Sequence, residues 1–175
     1  MIISVADARN FITTDLSDTV LELKLQALEV LIRKYTNNNF QKRNARSVAE
    51  VSGSMITCDT AYFKRGDTVQ ITDSIMNDGL YVLTDVIVGV ALVVDDYLFT
   101  EGDVLVTKIE YPADVVVGAL NMLKWDLESR DKVGIQSETI SRHSVTYFNM
   151  DGDNSSIGYP TALTGFLKPY MKARF

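Results

Sequence analysis

Few residues of this chain could do chemistry, and they are scattered. There is one histidine, His143, beside Ser144, and one cysteine, Cys58. Neighbours on an extended strand point to opposite faces, so no nucleophile–base geometry follows for Ser144 and His143. No neighbour in sequence activates Cys58 as a nucleophile, and it reads as a small, half-buried strand residue. As the only cysteine it excludes an intramolecular disulfide and fits a reducing compartment. The spacing Asp151-Gly152-Asp153-Asn154 resembles the start of a calcium loop. The glycine is misplaced, however, and no downstream Glu completes the loop, so it reads as a polar turn. Arg65-Gly66-Asp67 matches an integrin-binding tripeptide, but Gly and Asp are turn residues for their own reasons, and a turn opening a strand is the better reading. There is no Cys/His cluster, no phosphate-cradling glycine loop and no HExxH pattern, and the carboxylates are dispersed. The expectation is a non-enzyme with no cofactor, no metal and no catalytic residue.

The composition narrows the class further. The 175 residues suit one domain, or a domain with a subdomain. A net charge of −6 gives no bulk attraction to nucleic acid or anionic membrane. The short cationic run Lys42-Arg43 with Arg46 reads as a solvated turn. No apolar run approaches the roughly 18 residues of a membrane span. No basic segment followed by an apolar core marks a signal peptide, so no membrane association is expected.

The elements that would position these residues begin with helices. Residues 3 to 12 form a short one, with Ser4 as N-cap and Val5, Ala8, Phe11 and Ile12 as the buried side. A long helix runs from about Ser17 to Tyr35, capped by Ser17 or Asp18 and ended by Thr36-Asn37-Asn38-Asn39. Leu16, Val20, Leu23, Ala27, Val30 (or Leu31) and Tyr35 make one apolar stripe. Leu21, Leu25, Leu28 and Ile32 make another. Two stripes exceed what a single partner helix covers, so this is either a central bundle helix or one that also packs on another subunit. A third helix follows Tyr111-Pro112. Val116, Leu120, Leu123 and Leu127 lie on one of its faces, and Val115, Ala119, Met122 and Trp125 form a stripe beside it.

Between about Arg46 and Glu110 the period changes to that of strands. Candidates are Val48–Ser52, Met55–Cys58, Asp67–Thr72, Leu80–Val88, Ala91–Val94 and Val104–Ile109. Turn signals separate them at Arg65-Gly66-Asp67, Asn77-Asp78-Gly79, Val88-Gly89-Val90 and Glu101-Gly102-Asp103, with Asp78-Gly79 a favoured hairpin turn. Strands joined without helices imply an antiparallel sheet or small barrel. After the third helix, residues 135 to 147 are β-capable but polar on both faces. Such an arm needs a strand to pair with, for which another subunit is a candidate through Ser137, Glu138, Ile140, Arg142, Val145 and Tyr147. A short helix, Thr161 to Leu167, is capped by Thr161 and ended by Pro169. The cationic and aromatic terminus suits docking on a partner. The expected class is α+β: helices over 1–45, an inserted antiparallel β subdomain over 46–110, a central bundle helix over 111–133, and an arm, short helix and tail over 134–175.

Five segments carry a family likeness: Phe63–Ile71, Asn77–Tyr81, Tyr111–Val115, Ser137–Tyr147, and Gly158-Tyr159-Pro160 with Leu167-Lys168-Pro169-Tyr170. In this order the chain resembles the head–tail connector (adaptor) proteins of long-tailed bacteriophages over nearly its whole length, with the β block as an insertion. The resemblance implies a ring, usually twelvefold, beneath the portal of the DNA-filled capsid. That ring extends the DNA channel and docks the next connector, a stopper or a tail-completion protein. It also implies that Tyr170, Lys172, Arg174 and Phe175 face the portal. DNA would pass without sequence-specific binding, and an acidic wall would let phosphate slide. The protein would be made in the host cytoplasm and end in the virion neck. Alternatives are a head-completion stopper or tail-terminator ring, then a β-module binding carbohydrate or protein through Tyr62, Phe63, Tyr81, Tyr97 and Phe99, and last an enzyme.

Overall fold

A computed structural model of the chain describes residues 1–130, 137–140, 143–146 and 154–173. It has the α+β composition expected, divided into two compact units, one of residues 39–110 and the other of residues 1–38 with 111–175.

In the helical unit, α1 is Val5–Phe11 and α2 is Asp18–Thr36. Ser4 and Ser17 cap them, accepting from the amides of Asp7 and Val20. Asn37 ends α2 in the left-handed conformation, φ 50°, where Asn is tolerated and its amide reaches back to the carbonyls of Arg33 and Lys34. Leu21, Leu25, Leu28 and Ile32 are buried, so one stripe of α2 lies in the core. The other stripe is open in its middle among the described residues: Leu23 is 60% exposed and Val30 44%, while Leu16, Leu31 and Tyr35 are half-buried. On α1, Ala8 and Ile12 are buried as expected, but Phe11 is 67% exposed. The helix ends at Phe11, and its one buried position is Ala8.

α3 spans Ala113–Ser129 and is covered on both of its stripes. Val115, Ala119, Met122, Leu120 and Leu123 are buried, and Trp125 and Leu127 are half-buried. α4 is only Thr161–Thr164, continuing as a 3-10 turn over Gly165–Tyr170. Thr161 does not cap it. Pro160 occupies that position and no side chain bonds there. Pro169 lies inside the 3-10 turn and does not end it, because proline's φ suits that geometry and only its own missing N–H is lost.

The β unit has four antiparallel strands, β1 Gln41–Thr57, β2 Thr68–Thr72, β3 Gly79–Ile87 and β4 Ala91–Ile109, in the order β1-β4-β2-β3, with β3 also pairing β4. Two pairs of expected strands are fused. Met55–Cys58 joins Val48–Ser52 in β1, which already starts at Gln41, and Glu101-Gly102-Asp103 is no turn but lies within β4. The register between β1 and β4 shifts three times between Ala49 and Met55, so bulges absorb residues that would otherwise break the strands. Gly53 (φ 63°) and Asp103 (φ 59°) supply the positive φ that such bulges need. Asp78-Gly79 is not a two-residue hairpin turn either. Gly79 opens β3 opposite Ile71, leaving a six-residue loop over 73–78. The turns at Gly66 (φ 86°) and Gly89 (φ 74°) are where the sequence puts them.

β3 pairs first with β2 and then with the start of β4, while β2 pairs with the end of β4. The long β1–β4 ribbon therefore bends around the β2–β3 hairpin. The core of the unit buries Val51, Ile56, Ile71, Leu83, Leu92 and Leu98.

Four short strands lie between α3 and α4 among the described residues. β5, Ser137–Ile140, pairs antiparallel with β6, His143–Thr146, so these arm residues find a partner within the arm. β7 (Ser155–Ser156) pairs with β8 (Tyr159–Pro160). Among the described residues no helix is long and apolar enough to cross a membrane.

Candidate functional site

The most organised surface feature of the β unit is the 73–78 loop. Glu101 of β4 accepts from the Ser74 hydroxyl at 2.6 Å, the Ile75 amide at 2.7 Å and the Asn77 side chain at 3.1 Å. These bonds, led by that from Ser74, hold its carboxyl below the usual range. Asn77 is buried and bonds both backbone groups of Phe99, while Tyr81 donates to the Asn77 carbonyl at 2.9 Å. Ser74 in turn accepts from the Asn77 amide at 2.7 Å, and Asp78 from the Ser74 amide at 2.9 Å. What this scaffold displays is apolar: Ile75 is 88% exposed and Met76 62%. Sequence reading saw only a turn here. The signal it missed is Glu101, whose carboxylate accepts the Ile75 amide from 26 positions away in the chain.

Of the five aromatic candidates on the β unit, Phe63 is buried and Tyr81 is half-buried. Tyr97 and Phe99 are exposed and pack edge to face, centroids 5.7 Å apart, and Tyr62 is exposed. Cys58 sits just past β1, half-buried against the core. Burial, with Asp59 beside it, pushes its thiol up to about 11, so little thiolate forms near neutral pH.

In the helical unit the C-terminal segment is laced down. The Tyr170 hydroxyl donates to the Asp114 carboxylate at 2.7 Å, which raises its pKa. The Lys172 amide donates to the Thr36 carbonyl at 2.8 Å, and the side chains of Asn37 and Asn38 donate to the carbonyls of Ala173 and Tyr170. Tyr170 and Lys172 thus lie along the C-terminal end of α2, with the Lys172 side chain exposed. Arg174 and Phe175 lie outside the described residues. So do Arg142 and Tyr147 of the arm; Ser137, Glu138, Ile140 and Val145 are described by their backbone pairing alone.

Asp126 organises the far end of α3. It takes Lys24 of α2 at 2.6 Å and Arg130 at 2.6 Å, and the Arg130 guanidinium lies over Trp125 and Tyr159 while bonding the Gly158 carbonyl. Burial alone would raise the Asp126 carboxyl, but the bonds from Lys24 and Arg130 outweigh it and hold the group low. Among the described residues no three His, Cys, Asp or Glu side chains come together as a metal site. What the geometry offers is contact: an outward apolar stripe on α2, a rigid apolar loop on the β unit, and a tethered tail.

No protein-family model matches the chain, and no curated protein matches it closely enough to count as a relative. Function has to be read from the residues themselves.

Proposed function

We propose that this chain is a structural virion protein, a head–tail connector of a long-tailed bacteriophage that forms a ring beneath the portal. In that role it extends the DNA channel and docks the next connector or the tail. The observation that carries the reading is α2. One apolar stripe of this helix is buried, while Val20, Leu23 and Val30 on the other are exposed. An amphipathic helix with a second, uncovered apolar face is built for a further protein partner. A ring of identical copies supplies one without any new gene product. The tail segment, tied at Thr36, Asn37, Asn38 and Asp114, leaves the Lys172 side chain exposed.

Native mass spectrometry tests this, with the chain alone and mixed with the portal ring of the same virus. One copy captured per portal subunit is the expected result, lost on deletion of residues 168–175. A closed ring that ignores the portal and binds a tail protein would instead assign the chain as a stopper or tail terminator. The exposed Tyr97–Phe99 pair favours a second reading, a β-module that binds carbohydrate or protein. Binding of a glycan lost in Tyr97→Ala would move the assignment there.

A further inference from the structure

The β unit is electrically polarised along its strands. Gln41 of β1, Ile109 of β4 and Thr68 of β2 lie in one row of the sheet. Close to that row stand Arg43, Lys64 and Arg65, all exposed, while Arg46, opposite Thr107, lies midway between this row and the next. Of the carboxylates beside the row, Glu110 is taken by Lys42 and Asp67 by Lys108, and Asp85, three residues past Val82 in β3, is exposed and in no ion pair among the described residues. No carboxylate pairs with these three exposed cations among the described residues, and they outnumber the one free carboxylate. A second row, Val48, Leu105 and Thr72, marks the other end of the same three strands. Just beyond it come Glu50, Asp73, Asp78 and Asp103, all exposed, and among the described residues none of these pairs with a cation.

Each end also carries apolar surface. The acidic end projects Ile75 and Met76 on the braced 73–78 loop. At the basic end Tyr62 is exposed in the loop that holds Lys64 and Arg65, and Val82, 40% exposed, lies opposite Thr68. An apolar knob ringed by carboxylates at one end faces the opposite charge, with apolar side chains of its own, at the other.

We infer that the β units of two copies of this chain join head to tail, the acidic end with Ile75 and Met76 of one against the basic end with Tyr62 and Val82 of the next. Charge complementarity selects a second copy as the occupant. Like ends repel and unlike ends attract, so the contact is heterologous. A heterologous contact closes into a ring when its rotation closes. The bracing by Glu101 and Asn77 lowers the ordering cost of docking the knob. This inference rests on the ring reading above and names a contact that such a ring would use.

Sedimentation velocity of the full chain at low and high salt provides the test. The parent chain is expected to associate at about 50 mM salt and to weaken about tenfold or more at about 500 mM, where screening shortens the Debye length. Arg43→Glu with Arg65→Glu removes the net positive charge of the basic end, while Glu50→Lys with Asp73→Asn leaves only two of the four carboxylates at the acidic end. All four positions are exposed, and Asn tolerates the positive φ of Asp73, so both variants should keep the circular dichroism of the parent. Each variant alone should stay monomeric, and their equimolar mixture should associate, because the intact acidic end of the first meets the intact basic end of the second. Ile75→Ser should weaken association about tenfold. Variants that associate as the parent does, or a parent monomeric at both salts, would overturn the inference. Portal capture by a parent that never self-associates would remove this contact and leave the connector reading standing. Self-association by this route without portal capture would do the reverse.

Discussion

Asn77 and Phe99 exchange two hydrogen bonds: the Asn77 side-chain amide donates to the Phe99 carbonyl at 3.0 Å, and the Phe99 amide donates to Asn77 Oδ1 at 2.8 Å. The side chain thereby acts as one more residue of a strand beside β4, at the place where β2 has ended and the 73–78 loop begins. That substitution of side chain for backbone makes the loop rigid without a regular turn.

Asn77→Ala should therefore cost about 2–4 kcal/mol of stability, since a buried residue loses its bonds and the Phe99 backbone groups lose theirs. Chemical denaturation measures it. Asn77→Asp should be at least as costly, because it sets a carboxylate against the Phe99 carbonyl and Glu101 where a donor stood. Exchange of the Phe99 amide hydrogen should quicken in Asn77→Ala, whereas Asp keeps an oxygen that can accept from it.

Gly118 of α3 is packed under Phe166. A Cβ built there would lie 2.3 Å from the Phe166 ring, so the ring must move. Gly118→Ala should destabilise by about 1–3 kcal/mol despite alanine's better helix propensity. Combining it with Phe166→Ala should recover part of the loss relative to the sum of the single changes, and thermal melts of the four proteins complete the cycle.

The Asp126 carboxyl is held low in the folded chain by Lys24 and Arg130. A depressed folded pKa contributes stability above the unfolded pKa and loses it as pH falls through the folded one. The contribution of Asp126 should thus be present at neutral pH and fade below about pH 4. Asp126→Asn should cost about 1–2 kcal/mol at pH 7, with allowance for partial exposure, and the gap to the parent should close in acid. A gap that stays constant to pH 2.5 would mean that the charge on Asp126 is not what matters.

The two stripes of α2 should separate stability from assembly. Leu25→Ala removes a fully buried side chain and should cost about 2–5 kcal/mol. Leu23→Ser, on the exposed stripe, should change stability by less than about 0.5–1 kcal/mol while weakening capture by the portal or by neighbouring copies. Denaturation curves and native mass spectrometry on the same two variants read both effects.

The sequence alone determined what short-range interactions specify. The caps at Ser4 and Ser17, the left-handed stop at Asn37, the turns at Gly66 and Gly89, and the α+β division with its antiparallel sheet each follow from a few consecutive residues. Tertiary structure decided the rest. Whether Glu101-Gly102-Asp103 turns or bulges depends on β1 running alongside it. The breadth of the 73–78 loop depends on Glu101 and Asn77 reaching across to and from β4. Which stripe of α2 is buried, and why Phe11 is not, depends on which elements lie beside them, and periodicity cannot tell equally apolar faces apart. Local bonds are encoded where they form, but bulges, braced loops and uncovered faces are set by partners that folding brings in from far along the chain.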